Sequence, residues 1–224
     1  MTSANHNFRL GAASLLAMVL GSYLFVSHAE AAGVRDVTRI NNSVEIQADE
    51  QVGDVSSING RVQIERNAVA GEVDTINGGI SLQSGARVLS AETVNGAISV
   101  DENVTVARQL HTVNGGIRCR AGSNIGGNVE TVNGRIDLRS TEVGGDVETA
   151  NGDISLSRGS TVRGDVIIRG KSGWLGRLFS LGQRNEPQLE VDAESVILGD
   201  IHLYRETHLQ IHPDAVVGNI YHHY

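Results

Sequence analysis

Residues 73–82 read VDTINGGISL and residues 129–138 read VETVNGRIDL. The phrase returns at a near-constant period. Aligned on its asparagine it falls at Asn41, Asn59, Asn77, Asn95, Asn114, Asn133 and Asn151, at spacings of 18, 18, 18, 19, 19 and 18. The following residue is glycine in six of the seven, with Asn42 standing in once. Three positions on come Val44, Val62, Ile80, Ile98, Ile117, Ile136 and Ile154, and five positions on come Ile46, Ile64, Leu82, Val100, Cys119, Leu138 and Leu156. The residue between the two columns is polar or small. This is period-2 alternation, a strand with one face buried. Cys119 stands in an aliphatic column and is expected to be a packed thiol.

A second signal, V/I-x-G-[D/E/N]-[V/I] or close to it, recurs once per period, as in Val143-Gly144-Gly145-Asp146-Val147 and Val162-Arg163-Gly164-Asp165-Val166, and continues to Val217-Gly218-Asn219-Ile220. Each period therefore has two glycine-marked corners, where glycine's tolerance of positive φ is expected to serve. A fixed period of this length is the signature of a repeat architecture. Asn-Gly between alternating residues is also the strongest hairpin signal, so an antiparallel meander or sandwich competes. Fixed columns favour stacking, because coils one period apart would form amide ladders from Asn59, Asn77, Asn95, Asn114, Asn133 and Asn151, and a second polar ladder from Thr75, Thr93, Thr112, Thr131 and Thr149. Apolar parity breaks between the valine column (Val55, Val73, Val129, Val147) and the Ile/Val before each asparagine, and a bend is expected there.

The fold predicted is all-β: a single-stranded parallel β-helix, or β-solenoid, with triangular coils of 18–19 residues, taken to be right-handed, and one short helical insertion. Nine or ten coils give a rod on the order of 45 Å, each burying its face against its neighbours.

Residues 1–31 read as a signal peptide. Arg9 precedes the apolar run LGAASLLAMVLGSYLFVSHAEA, which ends in Ala29-x-Ala31; an uncleaved membrane anchor is the alternative. The solenoid domain then spans 32–224, with C-terminal coils and a cap over 200–224, and an exported, periplasmic or cell-surface location is expected. One cysteine in the chain allows no intramolecular disulfide. A net charge of −8 argues against nucleic acid as a partner. Aromatics make up 4% of the chain, so small branched residues must fill the interior.

The T-[VI]-N-G-x-I-x-[LV] phrase in tandem resembles bacterial envelope β-solenoid domains of the "head GIN" adhesin type. The Val-x-Gly-Asp-Val corners are similar to those of bactofilins, the polymer-forming cytoskeletal proteins. The resemblance covers roughly residues 36–170 and returns over 188–220. It implies a fold, no catalytic residues and no cofactor, and it suggests an adhesion or structural module, with self-association through the solenoid ends as the alternative.

Residues 171–187, KSGWLGRLFSLGQRNEP, break the repeat. Trp174, Leu175, Leu178 and Phe179 are spaced to share one face of a short helix, with Arg177 and Arg184 opposite. Over 172–186 this reads either as a cover for the solenoid flank or as an element that docks on a membrane surface or a partner protein; for the chain as a whole the expected partner is a protein or an envelope polysaccharide.

Candidate chemistry is sparse. The column three before each asparagine runs Thr38, Ser56, Asp74, Glu92, His111, Glu130, Glu148. Stacking would set Asp74 beside Glu92, and Glu130 beside Glu148, about 5 Å apart, a spacing compatible with glycoside cleavage. A polysaccharide-active enzyme is therefore the third reading. His202, His208, His212, His222 and His223 crowd the C-terminus; His208 and His212 would lie about 13 Å apart on a strand, so no metal site is expected and a polar aromatic end-cap is. No Gly-rich phosphate loop, Ser/His/Asp arrangement or paired-cysteine motif is present.

Overall fold

The computed structural model describes residues 34–170 and 186–224. The signal-peptide region and the predicted helix within 172–186 lie outside the described residues.

Residues 34–170 and 186–224 form a β-solenoid of stacked coils bounded by three parallel sheets of ten, nine and six strands. One coil shows the plan. Strand Glu72–Asn77 joins the ten-strand sheet, Ile80–Leu82 the nine-strand sheet and Arg87–Val88 the six-strand sheet; the chain then rises one coil to Ser90–Asn95. The register is the sequence period itself: Val73 pairs with Ala91, Asp74 with Glu92, Thr75 with Thr93 and Asn77 with Asn95. Every strand pairing among the described residues is parallel, as between Ile117–Cys119 and Ile136–Arg139, so the asparagines do not sit at hairpin tips.

The interior is a stack of aliphatic layers. Ile80, Leu82, Ile98, Val100, Ile117, Cys119, Ile136, Leu138, Ile154 and Leu156 are all essentially inaccessible, and Val55, Val73, Val129 and Val147 close the ten-strand side. β-branched residues suit this space, since each layer is narrow and their stiff χ1 packs against a pleated surface. The six-strand sheet has two-residue strands and a column that changes character along the axis: Ala68, Ala86 and Val104 give way to the buried Ser123, Thr141, Ser160 and Ser195. Those hydroxyls are paired. Ser160 Oγ donates to the Ser157 carbonyl at 2.8 Å, and Ser195 Oγ donates to Asp192 at 2.6 Å.

Three sequence expectations need correction. The strands Glu72–Asn77 and Ser90–Asn95 run unbroken through the expected bend. Parity breaks because threonine takes the inward position, and Ile76 and Val94 turn outward. The threonines do stack, but their hydroxyls do not bond to one another. Thr75, Thr93, Thr112 and Thr131 donate to the carbonyls of Gly60, Gly78, Gly96 and Gly115 at 2.8–3.0 Å. A threonine pointing into an aliphatic core must satisfy its hydroxyl locally, and the corner carbonyl is within reach.

The third correction concerns the glycines. Positive φ occurs at a corner the sequence did not mark: Asp49, Asn67, Gly85, Asn103, Gly122 and Ser140. The Asn-Gly corner needs glycine for space instead. A Cβ on Gly96 would stand 2.0 Å from the carbonyl oxygen of Gly78, one coil below.

The insertion leaves after Gly170 and the solenoid resumes in register. The last strand before the break, Val166–Ile168, belongs to the ten-strand sheet, and the next, Gln188–Val191, takes the following place in the nine-strand sheet, with Leu189 paired to Ile154 and Val191 to Leu156.

Candidate functional site on the outer face of the ten-strand sheet

Two side-chain columns line the outer face of the ten-strand sheet. The first is the column noted in the sequence, and the register stacks it as read: Thr38, Ser56, Asp74, Glu92, His111, Glu130 and Glu148, continued by Ile167, His202 and Tyr221. The second lies two residues along each strand: Ile40, Ile58, Ile76, Val94, Val113, Val132 and Ala150, then Arg169, Tyr204 and His223. The sequence period shows this second column, but its change of parity suggests a bend, whereas the unbroken strands turn it outward.

The carboxylates differ in environment along the axis. Asp74 is pushed up to about 7, first by loss of hydration and then by the negative charges of Glu92, Glu72 and Asp54. Glu92 accepts a hydrogen bond from Gln109 Nε2 at 2.7 Å. Neither Asp74 nor Glu92 has a cation at ion-pair distance among the described residues, whereas Glu72 is met by Arg108 at 2.8 Å. One coil further, His111 Nδ1 lies 3.3 Å from Glu130, and Asn128 donates to the same carboxylate at 2.9 Å. The His111 hydrogen bond, ahead of the opposing loss of hydration, holds Glu130 below its ordinary value. His111 is 8% exposed, and its Nε2 is buried with no hydrogen-bond partner. Glu148 is held by a two-pronged contact from Arg169, at 2.7 and 2.9 Å.

Aromatic rings occupy the C-terminal end of this face. His202 stacks on Tyr221 with centroids 5.2 Å apart, and Tyr204 stacks on His223 at 4.4 Å. Arg169 lies over the Tyr204 ring at 5.5 Å. His202 pairs in register with Tyr221, and His223, two residues on, crosses to bring its Nε2 3.1 Å from His202 Nδ1. His208 and His212 are engaged separately, by Gln210 and Asp214. No three His, Cys, Asp or Glu side chains gather as a metal site among the described residues.

The corners carry ladders. Each asparagine donates its Nδ2 to the Oδ1 one coil below: Asn59 to Asn41, Asn77 to Asn59, Asn95 to Asn77, Asn114 to Asn95, Asn133 to Asn114 and Asn151 to Asn133, at 2.8–3.0 Å. A second ladder was overlooked in the sequence. At this corner an Asp or Asn side-chain oxygen accepts the backbone N–H of the next coil, in one run at Asp36 and Asp54 and a second at Asn128, Asp146, Asp165 and Asp200, at 2.8–3.0 Å. Its sequence signal is the Asp or Asn that recurs in this column, which Glu72, Ser90 and Gln109 interrupt. Cys119 is fully buried, and burial pushes its thiol well up, away from reactivity.

Trp174, Leu175, Arg177, Leu178, Phe179 and Arg184 lie outside the described residues, so the structure neither brings them to this face nor separates them from it.

No family model, curated protein or solved structure matches the chain. What is shown is a parallel β-solenoid, and the likeness to adhesin and bactofilin domains stands on the sequence columns.

Proposed function

We propose that this chain is a non-enzymatic, exported β-solenoid that serves as a structural or adhesion module of a bacterial cell envelope. One observation supports the reading above others: the polar side chains at the corners are engaged in holding coil to coil. Asparagines bond to asparagines, aspartates cap backbone N–H groups and threonines cap corner carbonyls. Such a chain invests its polar chemistry in a long, rigid surface. The test is a pull-down from envelope fractions, comparing the intact chain with one lacking residues 172–186. Recovery of an envelope protein or polysaccharide by either form supports the module; exclusive recovery from the cytoplasmic fraction sinks it.

A second reading, end-to-end self-assembly, is favoured by the polarity of the aspartate ladder. In all six of its bonds the side-chain oxygen lies on one coil and the N–H on the coil that follows, and Asn219, the last residue of the column, donates to Asp200. Val37–Arg39 and Ile220–His222 each pair on one side only among the described strands, and open edges invite pairing. A head-to-tail contact of this kind does not close on itself, and filaments in negative stain are its expected sign.

A further inference from the structure

The outer face of the ten-strand sheet joins two features that a merely solvated surface does not need together. Ile58, Ile76, Val94, Val113 and Val132 form an unbroken aliphatic stripe along the axis, with Val132 36% exposed. Beside it stand Asp74 and Glu92, acidic, adjacent in register and, among the described residues, without a cation at ion-pair distance. In the same column His111, nine-tenths buried, keeps an unpartnered Nε2 on the ring edge turned away from Glu130.

We infer that this face docks a cationic amphipathic helix from a partner protein, its apolar ridge on the aliphatic stripe and its Lys or Arg side chains on Asp74 and Glu92. The dimensions agree. From Ile40 to Val132 the stripe climbs five coils, about 24 Å at the inter-strand spacing, which is the length of a helix of about 16 residues. Helix-on-apolar-surface recognition uses such i, i+3, i+4 anchors, and the unpaired carboxylates select for positive flanks. A sugar polymer fits less well, because the stripe is aliphatic and the stacked aromatic rings among the described residues lie at the C-terminal end. A second copy of this chain would bring like charges together across the contact.

This inference rests on the reading of the chain as a module and adds its partner. The experiment is a titration of the full chain with a synthetic Leu/Lys amphipathic peptide of about 16 residues, against a Leu/Glu peptide of the same pattern. Expected is binding of the cationic peptide alone, weakened about tenfold, or 1.4 kcal/mol, by D74N together with E92Q, and as strongly by I76T together with V94T. The substituted side chains face outward, so the fold is retained; S81A on the nine-strand sheet leaves binding unchanged. Equal binding of both peptides, or variants that bind like the parent, overturns the proposal. So does a gain of binding on removal of residues 172–186, which would make the chain's own segment the occupant. Concentration-dependent dimerisation abolished by I76T and V94T would assign the face to a second copy and overturn it too. Envelope association without peptide binding keeps the module and sinks this face; peptide binding without envelope association does the reverse.

Discussion

Asp74 and Asp146 carry the same carboxylate to opposite ends. Asp146 accepts the backbone N–H of Asp165 at 2.8 Å and donates its own N–H to Asn128 Oδ1 at 3.0 Å. Asparagine supplies the same acceptor, and the column itself uses Asn128 in that role. Asp146→Asn should therefore cost little, whereas Asp146→Ala leaves a corner N–H unbonded and should cost about 1–2 kcal/mol by chemical denaturation. Asp74 is stacked on Glu92 and surrounded by like charge, and its ordinary value of 3.8 rises to about 7. The folded chain thus holds a proton that the unfolded chain has released. The stabilising contribution is full below about pH 4 and is lost as pH rises through 7. Asp74→Asn should raise the melting temperature at pH 8 more than at pH 5; an equal shift at both would show that Asp74 titrates normally. The column of Asp74 was legible in the sequence. Its unpaired state was not, because the rise of one coil is visible in the period while the absence of an arginine depends on how side chains turn.

Corners define the elements, and two kinds of glycine separate there. Gly96 has a backbone oxygen 2.0 Å from where a Cβ would stand. Gly96→Ala should push two coils apart and cost about 3 kcal/mol or more. Gly85 has φ +76°, and the nearest atom to its Cβ would be the side-chain oxygen of Asn67, 2.4 Å away, with the Asn67 backbone at an ordinary 3.8 Å. Asn67 and Asn103 hold the same left-handed conformation one coil to either side, and asparagine tolerates it best among residues with a side chain. Gly85→Asn should accordingly cost about 1 kcal/mol or less. Thermal unfolding of the pair ranks them, and a Gly85 variant that is the worse of the two would reverse the assignment. The sequence displayed both glycine columns, yet a glycine required by φ and one required by a neighbouring carbonyl look alike until the coils are stacked.

At the scale of the whole solenoid, the strand pairing joins each coil to the coil above and the coil below, with a few long side chains such as Arg108 reaching one coil further to Glu72. Removing residues 78–95 joins Asn77 to Gly96 and takes out one complete turn, so every remaining column stays in register. The shortened chain should fold, with an unchanged far-UV circular dichroism shape and cooperative unfolding at a somewhat lower temperature. Removing only 78–86 shifts inward residues to outward positions and should abolish folding. The natural insertion already follows this rule: the coil broken after Gly170 resumes with Leu189 on Ile154.

The period by itself determined the coil, its parallel register, the aliphatic layers with Cys119 among them and the columns of asparagine and carboxylate. These are consequences of repetition, since residues one turn apart must stack once the strands are parallel. Direction and partnership came only with the tertiary structure. It turned Thr75 inward to the Gly60 carbonyl and Ile76 outward, made the corner aspartates caps for the next coil, and brought His223 across to His202. Each of those outcomes depends on which hydrogen-bonding group of an adjacent coil lies within about 3 Å, a distance that no spacing along the chain encodes.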